Sequence, residues 1–385
     1  MKRFVLLSGL FLMFVVASLY AQEGQAEKPA EGPWTKSIPL KAEDTLVVYV
    51  DPGSVQIIPW EKKEIAVTAQ GVLAADQEKI QFTSKNKNVR LDFRGDKTAT
   101  VTFVVQVPST FNIDSYSGGD VEVKAPLSGK LKFKTNAGGV TLEDVSGTLV
   151  VDSSEGDVYV GNVKGDATLT TNGEIEANDI TGNLELKNES GDSFVKSVGG
   201  NANARVSDGD LTIGDIGGNL TASAGIGDID FQKVGGMATV NTESGDIDFF
   251  EGTGMIIAQT NSGDIYLRKV IGAVDARTED GDISAEMFSG SGGASKFYTR
   301  DGDIEILFSQ DAKATVDAKI TGTGIDEDDE PLTSDWPAVN DKNKLSAKYE
   351  INGGGDSILA EAVNGEIFIK KLTPKPQPAA KKTNQ

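Results

Sequence analysis

The chain of 385 residues contains no histidine and no cysteine. Without them there is no Ser-His-Asp or Cys-His nucleophile, no zinc site of the usual ligands and no disulfide. Basic residues are scarce too: 37 Lys and Arg face 58 Asp and Glu, a formal charge of −21 at pH 7. So acidic a body is repelled by nucleic acid and by anionic membrane surfaces, and neither is expected as a partner. After the first 21 residues no long apolar run follows, and no helical 3.6-residue pattern of useful length is present. No catalytic residue, metal ligand or cofactor is predicted from this composition. Glycine, by contrast, is abundant, with 44 residues. That is about 11%, against roughly 7% in average usage, and without a collagen-like spacing. The excess has to be explained by where it falls.

The two ends are unlike the rest. Met1, Lys2 and Arg3 precede a mostly apolar run from Phe4 to Tyr20, closed by Ala21. This predicts a signal peptide over residues 1–21 and an exported protein, periplasmic, extracellular or otherwise in the cell envelope. The competing reading is an uncleaved anchor, because 17 mostly apolar residues nearly span a bilayer. Residues 22–40 read as a polar linker. Residues 372–385 carry Pro374, Lys375, Pro376, Pro378, Lys381 and Lys382, and read as a disordered basic tail.

Between the ends one word recurs. Ser190-Gly191-Asp192, Asp208-Gly209-Asp210, Gly227-Asp228-Ile229, Ser244-Gly245-Asp246, Ser262-Gly263-Asp264 and Asp280-Gly281-Asp282 follow one another at 18-residue steps. Upstream lie Gly173-Glu174, Gly156-Asp157, Gly139-Val140 and Gly119-Asp120; downstream, after 21 residues, lies Gly302-Asp303. Behind each corner the apolar residues alternate, as in Ile229 and Phe231, Ile247 and Phe249, or Ile265 and Leu267. About eight residues later comes a second, weaker turn, such as Val234-Gly235-Gly236, and then a second alternating pair such as Ala238 and Val240. Each unit therefore reads strand, turn, strand, turn.

Eighteen residues holding two short strands and two turns suit one coil of a parallel β-solenoid, an all-β, β-helix-like fold. The ten intervals from Gly119 to Gly302, at about 4.8 Å each, predict a rod roughly 48 Å long. Glycine at each corner supplies positive φ, and the Asp beside it can accept bonds from turn N–H groups. Regular coils are expected over residues 115–308. Residues 41–114 are all-β by pattern but aperiodic, and are expected to form an irregular opening cap. Residues 309–350 break the rhythm with the acidic run 326–330, and are expected as a loop or hairpin excursion covering the C-terminal end of the rod. Residues 351–371 return as closing strands.

The chain resembles a bacterial family of exported β-strand-repeat proteins of unknown function, often labelled putative adhesins. The resemblance rests on the entry segment Val105-Gln106-Val107-Pro108 and Phe111-Asn112-Ile113, and on the Ser-Gly-Asp-Ile words. It rests also on the glycine-rich close at Tyr349-Glu350-Ile351-Asn352-Gly353-Gly354-Gly355 and Asn364-Gly365-Glu366-Ile367. It covers roughly residues 40–371. It implies a β-solenoid and an envelope location, and carries over no ligand and no functional residue.

Three kinds of chemistry are open to the outward residues. Stacked Asp228, Asp246, Asp264 and Asp282 invite calcium, but calcium-bound β-rolls repeat about every nine residues, with Asp and Gly at both turns. Adjacent carboxylates one coil apart repel by only about 0.9 kcal/mol in water, which turn N–H groups can offset without a metal. Glycosidases need only two carboxylates, yet Asp230, Asp248, Glu176 and Glu305 are expected as solvated residues on a strand face. Tyr159, Phe194 and Tyr266 fall at outward positions, and Phe250 interrupts an alternation; such rings stack on glycans or anchor protein partners. The sequence thus favours a non-enzymatic, adhesin-like binding module for an unidentified envelope protein or glycan. The alternatives are a periplasmic structural or signalling scaffold and, more remotely, a carbohydrate-active enzyme.

Overall fold

The computed structural model describes residues 33–40, 45–96, 101–124, 126–288, 293–322, 330–340 and 343–373. The expected signal peptide, most of the linker, acidic residues 326–329 and the tail from residue 374 lie outside the described residues.

One coil shows the plan. From the corner at Gly245, the strand Ile247–Gly252 runs to the turn at residues 253–255, and Ile256–Ser262 returns to the corner at Gly263. Alternation sends Ile247, Phe249, Ile256, Ala258 and Thr260 inward and leaves their neighbours outside. Ile247–Gly252 pairs in parallel with Ile229–Val234 on one side and Ile265–Val270 on the other. Ile256–Ser262 pairs likewise with Ala238–Ser244 and Val274–Asp280. Each residue thus sits beside its counterpart 18 positions away, and the strands form two parallel ladders facing across one core. The protein is an all-β parallel β-solenoid of about 11 turns, with negligible helix.

The core stays narrow because the two ladders trade size. Where the first ladder carries Phe231 and Phe249, whose rings lie 4.9 Å apart, the second carries Val240 and Ala258. Further along the first ladder narrows to Ala285 and the second fills the space with Phe297. Close packing at constant width requires such exchange.

The rod is closed by coils taken out of sequence order. At the N-terminal end, Thr45–Asp51 lies between Asn88–Arg94 and Asn112–Ser117. Ser54–Trp60 lies between Thr102–Pro108 and Val121–Val123. The first coil in sequence is therefore the second tier in space. The chain reaches the outer tier through Glu64–Gln70, the short 3₁₀ helix Ala74–Lys79 and Gln81–Lys85. Glu64–Gln70 and Gln81–Lys85 pair antiparallel to the outer coil, and Trp34–Pro39 adds antiparallel to Glu64–Gln70. The C-terminal end mirrors this. Asp356–Asn364 and Ile367–Lys371 slot between the coil of residues 295–308 and an outer tier made by Ala314–Ile320 and Leu332–Ser334. Ser346–Ile351 covers Ala314–Ile320 antiparallel. The described part of segment 309–350, read from sequence as an excursion covering the C-terminal end, supplies that cover and also the last tier of the rod. Among the described residues no helix is long and apolar enough to cross a membrane.

Candidate functional site

Three features decide what the surface can present: the corners, the buried groups behind them, and the outward columns. At the corner Gly263 has φ +147°, and a Cβ there would stand 2.1 Å from the Gly245 carbonyl oxygen. Only glycine allows coils to approach so closely. Beside it the N–H of Asp264 donates to Asp246 Oδ1 at 2.7 Å, and the N–H of Asp282 to Asp264 Oδ1 at 2.7 Å. The same bond links Asp246 to Asp228 and Asp303 to Asp282. Each carboxylate therefore accepts from the next coil, and these bonds offset the repulsion between stacked like charges. Among the described residues no three carboxylates converge as a metal site.

Behind the corner runs a column that sequence reasoning missed. Thr242, Thr260, Thr278 and Thr299 are buried, and their hydroxyls donate to the carbonyls of Gly227, Gly245, Gly263 and Gly281 at 2.8–3.2 Å. The signal was present: each threonine stands three residues before a corner glycine. It was hidden because Val206 and Ala224 hold the same position without a hydroxyl.

The outward residues of the first ladder stand in register. Tyr159, Glu176, Phe194, Thr212, Asp230, Asp248, Tyr266, Ser284 and Glu305 form one column along the rod. The structure thus places Tyr159, Phe194 and Tyr266 in a single line, on non-neighbouring coils. Phe194 and Tyr266, 47% and 37% exposed, bracket Thr212, Asp230 and Asp248. Phe250 and Arg268 come up beside the two aspartates, and with Gln232 they enclose an open crease of about 320 Å³.

Charge in the crease is unevenly shared. Asp248 is ion-paired to Arg268. Asp230 lies directly beside Asp248 on the neighbouring strand. Partial burial pushes its pKa above the usual carboxylate range, and repulsion from Asp248, Asp228 and Asp210 adds to this, with Arg268 opposing. Phe250 is 41% exposed, with Lys269 Nζ 4.5 Å from its ring centre. Tyr266 donates its hydroxyl to Asp264 Oδ2 at 2.6 Å, and that bond, with burial, pushes its pKa up to about 12. The ring of Tyr266 is thereby fixed as a neutral platform. Together the crease offers carboxylates, a guanidinium, an amide and exposed aromatic edges on a backbone that cannot shift by a residue without breaking the corner ladder. The sequence indicated which columns point outward; that Arg268 would pair with Asp248 rather than Asp230 was not legible from spacing.

A family model described as Toastrack DUF4097 matches residues 44–255 and again residues 218–370. No curated protein matches the sequence. Solved structures with similarity include a putative adhesin from Bacteroides fragilis, 12% identical, covering 89% of this chain and 99% of that one, with TM-score 0.20. A putative adhesin from Parabacteroides distasonis is 11% identical, covering 89% and 98%, with TM-score 0.22. A putative lipid binding protein from the same species is 13% identical, covering 90% and 98%, with TM-score 0.19. At TM-scores this low the likenesses carry no inference about ligand or location.

Proposed function

The chain belongs to the Toastrack DUF4097 family, and from that premise we propose that it is an exported, non-enzymatic binding module of the cell envelope. It holds a surface glycan or an envelope partner by several contacts along one rigid face, without a deep pocket. The observation that carries this reading is the outward column of the first ladder, where Phe194 and Tyr266 bracket the crease of Thr212, Asp230, Asp248, Phe250 and Arg268. Rings facing water, separated by hydrogen-bonding groups at one-coil spacing, suit a polar ligand with apolar faces. The basic start and apolar run of residues 1–21 support export.

The test joins a glycan array with protease accessibility on intact cells. Binding that is lost in Phe250→Ala, together with cleavage of the protein on intact cells, supports an adhesin-like role. No binding to any glycan, with the protein wholly shielded inside the envelope, removes that role and leaves the periplasmic scaffold. Turnover of a bound glycan that disappears in Asp230→Asn would instead establish the enzyme reading.

A further inference from the structure

The second turn of the coil carries a different ladder. Asn201 donates its N–H to Asn183 Oδ1, Asn219 to Asn201 Oδ1, and Met237 to Asn219 Oδ1, each at 2.9 Å. Only an oxygen can accept from an N–H, so these bonds fix the orientation of each amide. The Nδ2 groups must then face away from the ladder. Asn183 spends its Nδ2 on Asp166 at 3.1 Å. Asn201 and Asn219 have no protein partner for theirs among the described residues, and both side chains are exposed. Two amide donors thus stand one coil apart, held in place by the backbone.

They border a groove of about 620 Å³ that takes in Asp166, Asn183, Asn201 and Asn219 at the turn, and Thr168, Glu185, Asn203 and Thr221 on the second ladder. The same positions recur on four successive coils, so the groove runs parallel to the rod for about 14 Å, three strand spacings. Its side chains are mostly uncharged donors and acceptors, on a chain whose net charge is −21. An anionic polymer would meet Asp166, Glu185 and that net charge, and an apolar one would strip water from amides and hydroxyls. A hydroxyl-rich neutral chain satisfies both conditions. An extended β-1,4-linked pyranose chain also advances by about one strand spacing per sugar with alternate sugars turned over, so sugars two apart would meet equivalent groups two coils apart.

We propose that this groove is a subsite for a linear, uncharged polysaccharide lying parallel to the rod axis, one sugar per coil. The proposal deepens the binding-module reading and rests on it, and it lies on the ladder opposite the crease.

The experiment titrates the full chain with β-1,4-linked glucose and N-acetylglucosamine oligomers of two, four and six sugars, by calorimetry. Two variants probe the groove. Asn201→Asp with Asn219→Asp keeps the ladder acceptor, as the aspartate corners do, and removes both donors. Asn203→Val with Thr221→Val removes hydrogen bonds from two exposed strand positions with side chains that strands favour. Affinity is expected to rise from two to four sugars and then level off. Each double variant is expected to bind about tenfold more weakly while still unfolding cooperatively, with no large fall in Tm. Equal affinity for two and four sugars, or wild-type binding by both variants, overturns the groove. If binding persists in both variants but is lost in Phe250→Ala, the groove fails and the binding module stands, seated in the crease. If neither oligomer series binds at millimolar concentration the groove fails; if the glycan array is also blank and the protein is shielded in cells, the adhesin-like reading fails with it.

Discussion

The corner glycines make a quantitative test of why the repeat exists. Take Gly263→Ala. At φ +147° an alanine sits in a region that only glycine occupies readily, which costs about 1–3 kcal/mol. The new methyl would also stand 2.1 Å from the Gly245 carbonyl oxygen. That oxygen cannot withdraw easily, because Gly245 N–H is bonded to Ser262 O and Ile247 N–H to Asp264 O, each at 2.9 Å. Forced overlap in packed structure costs about 1–3 kcal/mol more, giving about 2–6 kcal/mol in total. At about 1.3 °C per kcal/mol for a chain of this size, the melting temperature should fall by about 3–8 °C. Gly353→Ala is the control: its φ is +93°, but a Cβ there meets nothing within 4 Å, so only the backbone term applies. Thermal unfolding followed by circular dichroism, with urea titrations alongside, reads both. A Gly263→Ala protein that melts within about 1 °C of wild type would refute the close-approach argument. So would a Gly353→Ala protein that loses as much as Gly263→Ala.

Other expectations follow from the same ladders. Thr260→Val keeps shape and removes the donor to the Gly245 carbonyl, so urea unfolding should show a loss of about 1–3 kcal/mol. Asp246→Asn keeps the acceptor for Asp264 N–H and relieves repulsion, so it should lie within about 0.5 kcal/mol of wild type, whereas Asp246→Ala should lose about 1–2 kcal/mol. The pKa of Asp230 is raised in the fold, so the folded chain holds more protons than the unfolded one between its ordinary value of 3.8 and the raised value. Stability is then lost as pH rises through that window. Asp230→Asn should accordingly raise the melting temperature at pH 7, with a smaller gain near pH 4; a larger gain at the acidic pH would contradict the assignment. Chelator and millimolar calcium should give the same melting temperature, since the corner carboxylates are already bonded to N–H groups; a rise with calcium would show that the corners take metal.

Local signals made the coil legible and non-local ones did not. Gly-Asp spacing and the alternation of pairs such as Ile247 and Phe249 gave the coil length, the inward faces and the two turns, because all three are fixed within one unit. The hydroxyl column could have been read from Thr242, Thr260, Thr278 and Thr299, had their distance to the next glycine been compared across units. The crease depends on which charge swings toward which, and Arg268 reaches back across one coil to Asp248, a choice that spacing does not determine. The tier order at the ends was also out of reach. Alternation in Thr45–Asp51 says which side chains point inward, and nothing in it selects Asn88–Arg94 and Asn112–Ser117 as its neighbours.

That tier order changes what a truncation does. In a rod wound in simple sequence order, removing the last coil would bare one fresh edge on each ladder and leave a shorter rod of the same kind. Here a chain cut before Asp356 would lose the tier between Ser295–Asp301 and Ala314–Ile320, together with the one between Ile304–Phe308 and Leu332–Ser334. The loss opens a slot with unpaired strand on both of its walls, four sticky edges in place of two. Strand edges of neighbouring fragments can pair into that slot, so such a fragment is built to associate with its neighbours. The intact rod avoids this by keeping its last-made strands clasped on both sides.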